Sequence, residues 1–95
     1  LWRHVNGGMT EFLGQPNGGF ADNGNNAWSL VDTNWQVSQI GDFNGDGRDD
    51  ILWRNVNGGM TEWLGQQNGG FVDNGNNAWR LVDTNWSIQS PDLFY

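Results

Sequence analysis

The sequence predicts an all-β chain built of β-propeller blades, and three observations carry that prediction. LWRHVNGGMTEFLGQPNGGFADNGNNAWSLVDTNW, starting at Leu1, returns as LWRNVNGGMTEWLGQQNGGFVDNGNNAWRLVDTNW, starting at Leu52, an offset of 51 residues. Each unit holds about four short strand signals separated by Asn-Gly and Gly-Gly turns, and no segment of about ten residues keeps a helical period without a glycine break. A period near 50 residues belongs to stacked or radial repeats, in which one unit cannot bury its apolar face alone.

Taking the elements in order, the clearest strand is Asp50 to Val56, rich in β-branched and aromatic residues and stopped by Asn57-Gly58-Gly59. Met60 to Leu64 follows, so the two read as a hairpin whose turn residues tolerate positive φ. After Gly65-Gln66-Gln67-Asn68-Gly69-Gly70, the stretch Phe71 to Val82 is either one bulged strand or a loop at Asp73–Asn77 leading into a shorter strand at Ala78–Val82. Trp35 to Phe43 supplies the fourth strand, and Trp86 to Tyr95 is its expected counterpart at the other end. If Asp42–Asp50 joins the first and second strands of a blade, residues 1–51 run through strands 2-3-4 and then strand 1 with its loop. Residues 52–95 run through 2-3-4 and a terminal strand 1. The chain then holds two four-stranded blade equivalents in circularly permuted order, and the ring is expected to be completed by oligomerisation or by a longer parent chain. Two blades per chain give an even ring, about six or eight blades as a homo-oligomer.

Composition narrows the class. The aliphatic supply is thin, and the apolar mass sits in seven Trp and five Phe, which bury large areas while tolerating a polar edge. Fifteen Gly against two Pro suit short antiparallel strands. The formal charge is −7, with Arg3, Arg48, Arg54 and Arg80 as the fixed cations, so nucleic acid is not an expected partner. No run is apolar enough for membrane insertion, and the absence of cysteine leaves redox compartment unread. A chain that starts without Met is expected of a mature or excised segment.

The strongest chemical motif is Gly41-Asp42-Phe43-Asn44-Gly45-Asp46-Gly47-Arg48-Asp49-Asp50. Asp42, Asn44 and Asp46 alternate along a tight turn, Gly47 permits the bend, Arg48 can offer its carbonyl, and Asp50 closes the set. Spacing of this kind suits a hard cation with six or seven oxygen ligands at roughly 2.3 to 2.6 Å, and Ca2+ is the expected cofactor. Trp53 stands where an EF-hand places its bidentate Glu, which disfavours a helix-loop-helix sensor. The bland alternative is a turn-rich loop that binds nothing, although carboxylates crowded without a cation would repel one another.

The run GDFNGDGRDDILWRN resembles the signature of the FG-GAP and VCBS-type repeats. In that family such repeats form propeller blades with a calcium loop between the first two strands, and the resemblance extends over both units. The diagnostic loop occurs once; Ser90-Pro91-Asp92-Leu93-Phe94-Tyr95 stands where a second would be expected. Carry-over is therefore limited to Asp42, Asn44, Asp46, Arg48 and Asp50. The resemblance implies an extracellular or cell-surface location and a binding role, often toward glycan or matrix.

Any further site should recur with the 51-residue offset that carries Leu1 to Leu52. Asp22, Asn25, Asn26 and Trp28 return as Asp73, Asn76, Asn77 and Trp79. Paired polar groups beside an aromatic plane are the usual chemistry of a sugar site, so carbohydrate is the expected ligand of a multivalent, lectin-like module. Against this, a Trp recurring once per blade is commonly inter-blade core, and Asn-Gly runs commonly satisfy turn backbone. The recurring pairs Arg3/Arg54 and Glu11/Glu62 are expected in cross-strand or inter-blade salt bridges. Catalysis has little support: the sole His, His4, is unmatched in the second unit, and neither Cys nor G-x-S-x-G occurs. The chain is expected not to be an enzyme; the alternative to a binding module is a structural or adhesive propeller segment of a larger secreted or surface protein.

Overall fold

The computed structural model describes residues 1–87. Asn57-Gly58 closes the central hairpin as expected: Gly58 takes φ 102° and its N–H donates to Asn55 O at 3.0 Å. That turn joins β7 (Asp50–Asn55) to β8 (Gly59–Gly65), which pair antiparallel with Trp53 opposite Thr61 and Ile51 opposite Trp63. On the other edge of β7 lies β6 (Trp35–Gly41), in register except for a shift between Val37 and Gln39. Residues 35–81 thus form one antiparallel sheet, a four-layer blade.

Its last layer differs from both readings of Phe71–Val82. The chain runs as β9 (Phe71–Asp73), a single helical turn α2 (Gly75–Ala78) and β10 (Arg80–Leu81), and both strands pair with β8. The turn forms because the Asp73 carboxylate accepts the Gly75 N–H at 2.7 Å, while Asn74 O accepts the N–H of Asn77 and of Ala78.

The first unit repeats this course without its first layer. β1 (Trp2–Arg3), β2 (Gly8–Thr10) and β5 (Ser29–Leu30) make one small sheet, and β3 (Phe12–Gly14) with β4 (Phe20–Asp22) makes another. The helical turn α1 (Gly24–Ala27) stands where α2 does in the second unit. The fold is all-β and blade-like, with no closed ring within the described residues. The expected strand from Trp86 to Tyr95 lies outside them beyond Ser87.

One blade packs its face on the other. Met9 joins Ile51 and Trp53 in the buried core, with Val31, Trp35, Val37, Trp63 and Phe71 packed against it. Trp53 and Trp63 meet edge to face with centroids 5.3 Å apart, and the Arg3 guanidinium lies 5.2 Å over the Trp53 ring. A cation over an indole face is attracted by the ring quadrupole, the more so where water is excluded.

The arginines correct the salt-bridge expectation. Arg3 donates to the carbonyls of Gly7, Val31, Asp32 and Trp35, and Arg54 repeats the pattern on Gly58, Val82, Asp83 and Trp86. A planar guanidinium with five donors can gather several carbonyls at once, and here it staples the end of one unit to the start of the next. Neither Glu pairs with an arginine: Glu11 accepts from Asn23 Nδ2 at 2.9 Å and Glu62 from Asn74 Nδ2 at 3.3 Å.

Candidate functional site

The acidic loop leaves β6 and enters β7, and its shape comes from its own carboxylates. Asp42 Oδ1 accepts the N–H of Gly45 at 2.8 Å and of Asp46 at 3.2 Å, and its Oδ2 accepts the N–H of Gly47 at 2.7 Å. Gly45 and Gly47 take φ 77° and 84°, the left-handed conformation that winds the loop around Asp42. Asp46 Oδ1 accepts the Arg48 N–H at 2.9 Å, and its Oδ2 lies 3.4 Å from both Asn44 Nδ2 and Arg48 Nη1. The Arg48 backbone amide, the largest influence, together with the Asn44 amide and the Arg48 charge and side chain, holds the Asp46 carboxyl below the usual aspartate range against the desolvation that would raise it.

Asp50 is fully buried at the base of the loop. Its two oxygens accept the N–H of Phe43 at 2.8 Å and of Gly65 at 2.9 Å, which ties the loop to the end of β8. Gly65 has to be glycine, because a methyl group there would overlap the Asp49 carbonyl. The donor set is all oxygen, which fits a hard cation in chemistry. Among the described residues, however, no three acidic or imidazole side chains converge as a metal cluster. Asp42, Asn44 and Asp46 share the loop rim, Arg48 neutralises Asp46, and Asp50 faces inward.

The second candidate cluster divides into turn-formers and wall-formers. Asp22 and Asp73 spend an oxygen on the N–H of Gly24 and Gly75, both at 2.7 Å. Asn26 and Asn77 donate to Asn23 and Asn74 at 2.9 Å, while Asn25 and Asn76 are exposed on the helical turns. Trp28 and Trp79 stand 60% and 52% exposed, so within this chain neither belongs to the core. Trp79 and Asp73 line a cleft of about 210 Å³ with Thr61, Gly75, Trp53 and Trp63, closed on the far side by Val31 and Trp35. The Trp53 Nε1 and Thr61 Oγ1 in that wall are buried without a hydrogen-bond partner. An unmet buried donor costs about 1–3 kcal/mol, a cost carried here behind the cleft wall.

Sequence reasoning passed over Asn23. It is 7% exposed, donates through Nδ2 to Glu11 Oε1 at 2.9 Å and Asn68 O at 3.1 Å, and so crosses from the first blade to the second. Its exact recurrence at Asn74, between Asp and Gly, was the available signal.

Residues 34–73, which span β6, the acidic loop, β7, β8 and the start of the last layer, match the family model described as FG-GAP repeat. Over those residues the chain is similar to an FG-GAP repeat. No curated protein and no solved structure matches the chain. The matched residues fall within the blade described above, and a match of this kind suggests a β-propeller segment. FG-GAP repeats typically occur in extracellular or surface proteins, and no helix among the described residues is long and apolar enough to cross a membrane.

Proposed function

We propose that this propeller segment is a calcium-supported carbohydrate-binding module acting outside the cell or at its surface, with no catalytic role. The observation that carries the reading is the inter-blade cleft. Trp79 offers a half-exposed indole and Asp73 a carboxylate in one cleft of about 210 Å³ that Thr61, Trp53 and Trp63 also line. That volume lies below the ~300–1,000 Å³ of clefts for drug-sized ligands, which suits a single sugar ring. The ring's apolar face would stack on Trp79 and its hydroxyls would meet the Asp73 carboxylate; Trp28 and Asp22 mark the same elements in the first blade.

Calcium would be held at the loop rim by Asp42, Asn44, Asp46 and the Arg48 carbonyl, with the buried Asp50 fixing the base of the loop. When bound, it supplies charge neutralisation to the loop. The chain's own part is the winding of that loop by Asp42 and its anchoring by Asp50 to the end of β8. Glycan-array binding with calcium, compared with Trp79→Ala, tests the reading. Binding that falls at least tenfold in the variant supports it; silence across all sugars with calcium present overturns it and leaves a structural or adhesive segment.

A further inference from the structure

The joint between the two blades is written in residues that occur twice. On one side stand Arg3, Met9 and Asn23; on the other, Trp53, Phe71 and the turn Asn68–Gly70. Shifted by the repeat, the first set becomes Arg54, Met60 and Asn74, and the second becomes Trp2, Phe20 and Asn17–Gly19, every residue type retained. Among the described residues the two shifted sets do not meet each other.

Their exposure shows the difference. Trp53 is 1% exposed and Trp2 is 60%; Phe71 is half-buried and Phe20 is 74% exposed. A methyl group on Gly69 would meet Asn23 Nδ2 and Glu11 Oε1, whereas one on Gly18 would meet nothing within 4 Å. Asn23 reaches the Asn68 carbonyl, while Asn74 stops at its own Glu62. The leftover faces are thus the two halves of the joint already made inside the chain.

We propose that a second copy of this chain docks head to tail, setting Arg54 of one copy over Trp2 of the next and Asn74 against the next copy's Asn17–Gly19 turn. The contact is heterologous, so it propagates from copy to copy and closes as a ring where the rotation permits. It also finishes a binding site. The first blade's cleft, lined by Trp2, Thr10 and Trp28, has a buried Thr10 Oγ1 without a partner but lacks the wall that Val31 and Trp35 give the second. Val82 and Trp86 of the neighbouring copy, the counterparts of Val31 and Trp35, supply that wall. The assembly rests on the joint alone; its completed cleft as a ligand site rests on the carbohydrate reading above.

Sedimentation of the full chain with Trp2→Asp and Trp86→Asp tests both the contact and its polarity. Each side chain is largely exposed in the single chain, at 60% and 71%, so neither change removes a core contact. The unaltered chain is expected to sediment as a multimer and each variant as a 10.6 kDa monomer. An equimolar mixture is expected to give a species of twice that mass, because one unaltered Trp86 still meets one unaltered Trp2. An unaltered chain that stays monomeric, variants that assemble as it does, or a mixture that remains monomeric each overturns the proposal. Assembly is read without sugar, so failed glycan binding by an intact multimer would sink the carbohydrate reading and leave this one standing.

Discussion

Trp2 and Trp53 occupy the same place in the same sentence of sequence, and one lies open to solvent while the other is 1% exposed. Each pairs with its own aromatic neighbour, Trp2 with Phe12 at 5.7 Å and Trp53 with Trp63 at 5.3 Å. The difference is the neighbour beyond: Met9, Val31 and Arg3 cover the second blade's face, and nothing among the described residues covers the first. Local sequence therefore decides strand, turn and face, whereas burial is decided by the next repeat in line. That is the energetics of a repeat array, a sum of unit and interface terms.

Paired substitutions break this comparison most sharply. Trp53→Ala should cost about 3–5 kcal/mol, enough to unfold much of the second blade, while Trp2→Ala in the monomer should cost under about 1 kcal/mol. Urea denaturation of the two variants, at concentrations where the chain is monomeric, reads the difference directly, and equal costs would contradict it. Calcium sharpens the comparison from another side, because only the second blade carries the loop. At a hundredfold excess over its dissociation constant it should add about 2.7 kcal/mol, raising the melting temperature by roughly 10–20 °C, and Asp42→Ala should abolish the gain. An unchanged melting curve on adding chelator would refute a folding role for the metal.

Glycine gives a third pair. Gly65→Ala forces a methyl group onto the Asp49 carbonyl and should cost about 1–3 kcal/mol, whereas Gly14→Ala, with nothing within 4 Å, should stay within about 0.5 kcal/mol. Thermal melts of both variants check the pair. The smallest effect concerns Asp46. Its folded carboxyl titrates below the ordinary aspartate value, so its contribution is present above that value and is lost as pH falls through the depressed one. A carbon-detected titration should place its midpoint low, and Arg48→Ala should raise it only in part, since the backbone amide of residue 48 remains. A midpoint at the ordinary value in the unaltered chain would show the amide contacts to be absent.

How much was legible in the sequence follows from the same distinction. The hairpin of β7 and β8 is fixed by what lies within it, Asn57-Gly58 and a run of β-branched and aromatic residues, and its bounds lie within a residue or two of the expected ones. The break of the last layer into β9, α2 and β10 was not, because Asp73-Asn74-Gly75-Asn76-Asn77 offers several equivalent polar side chains. Which of them turn inward depends on the one helical turn they form. Arg3 and Arg54 looked like ion-pair members, yet their partners are carbonyls, which a sequence does not display. The acidic loop was legible as a set of oxygen donors; that Asp50 is spent on the Phe43 and Gly65 amides depends on where β8 ends.

Radical footprinting of Trp2 and Trp53 across a dilution series tests most directly that one blade is finished by its neighbour and the other awaits one. In the dilute monomer Trp2 should be modified readily and Trp53 scarcely at all, and raising the concentration should protect Trp2 while leaving Trp53 unchanged. Equal modification of the two in the monomer, or a Trp2 that stays reactive when the chain is assembled, would contradict the account.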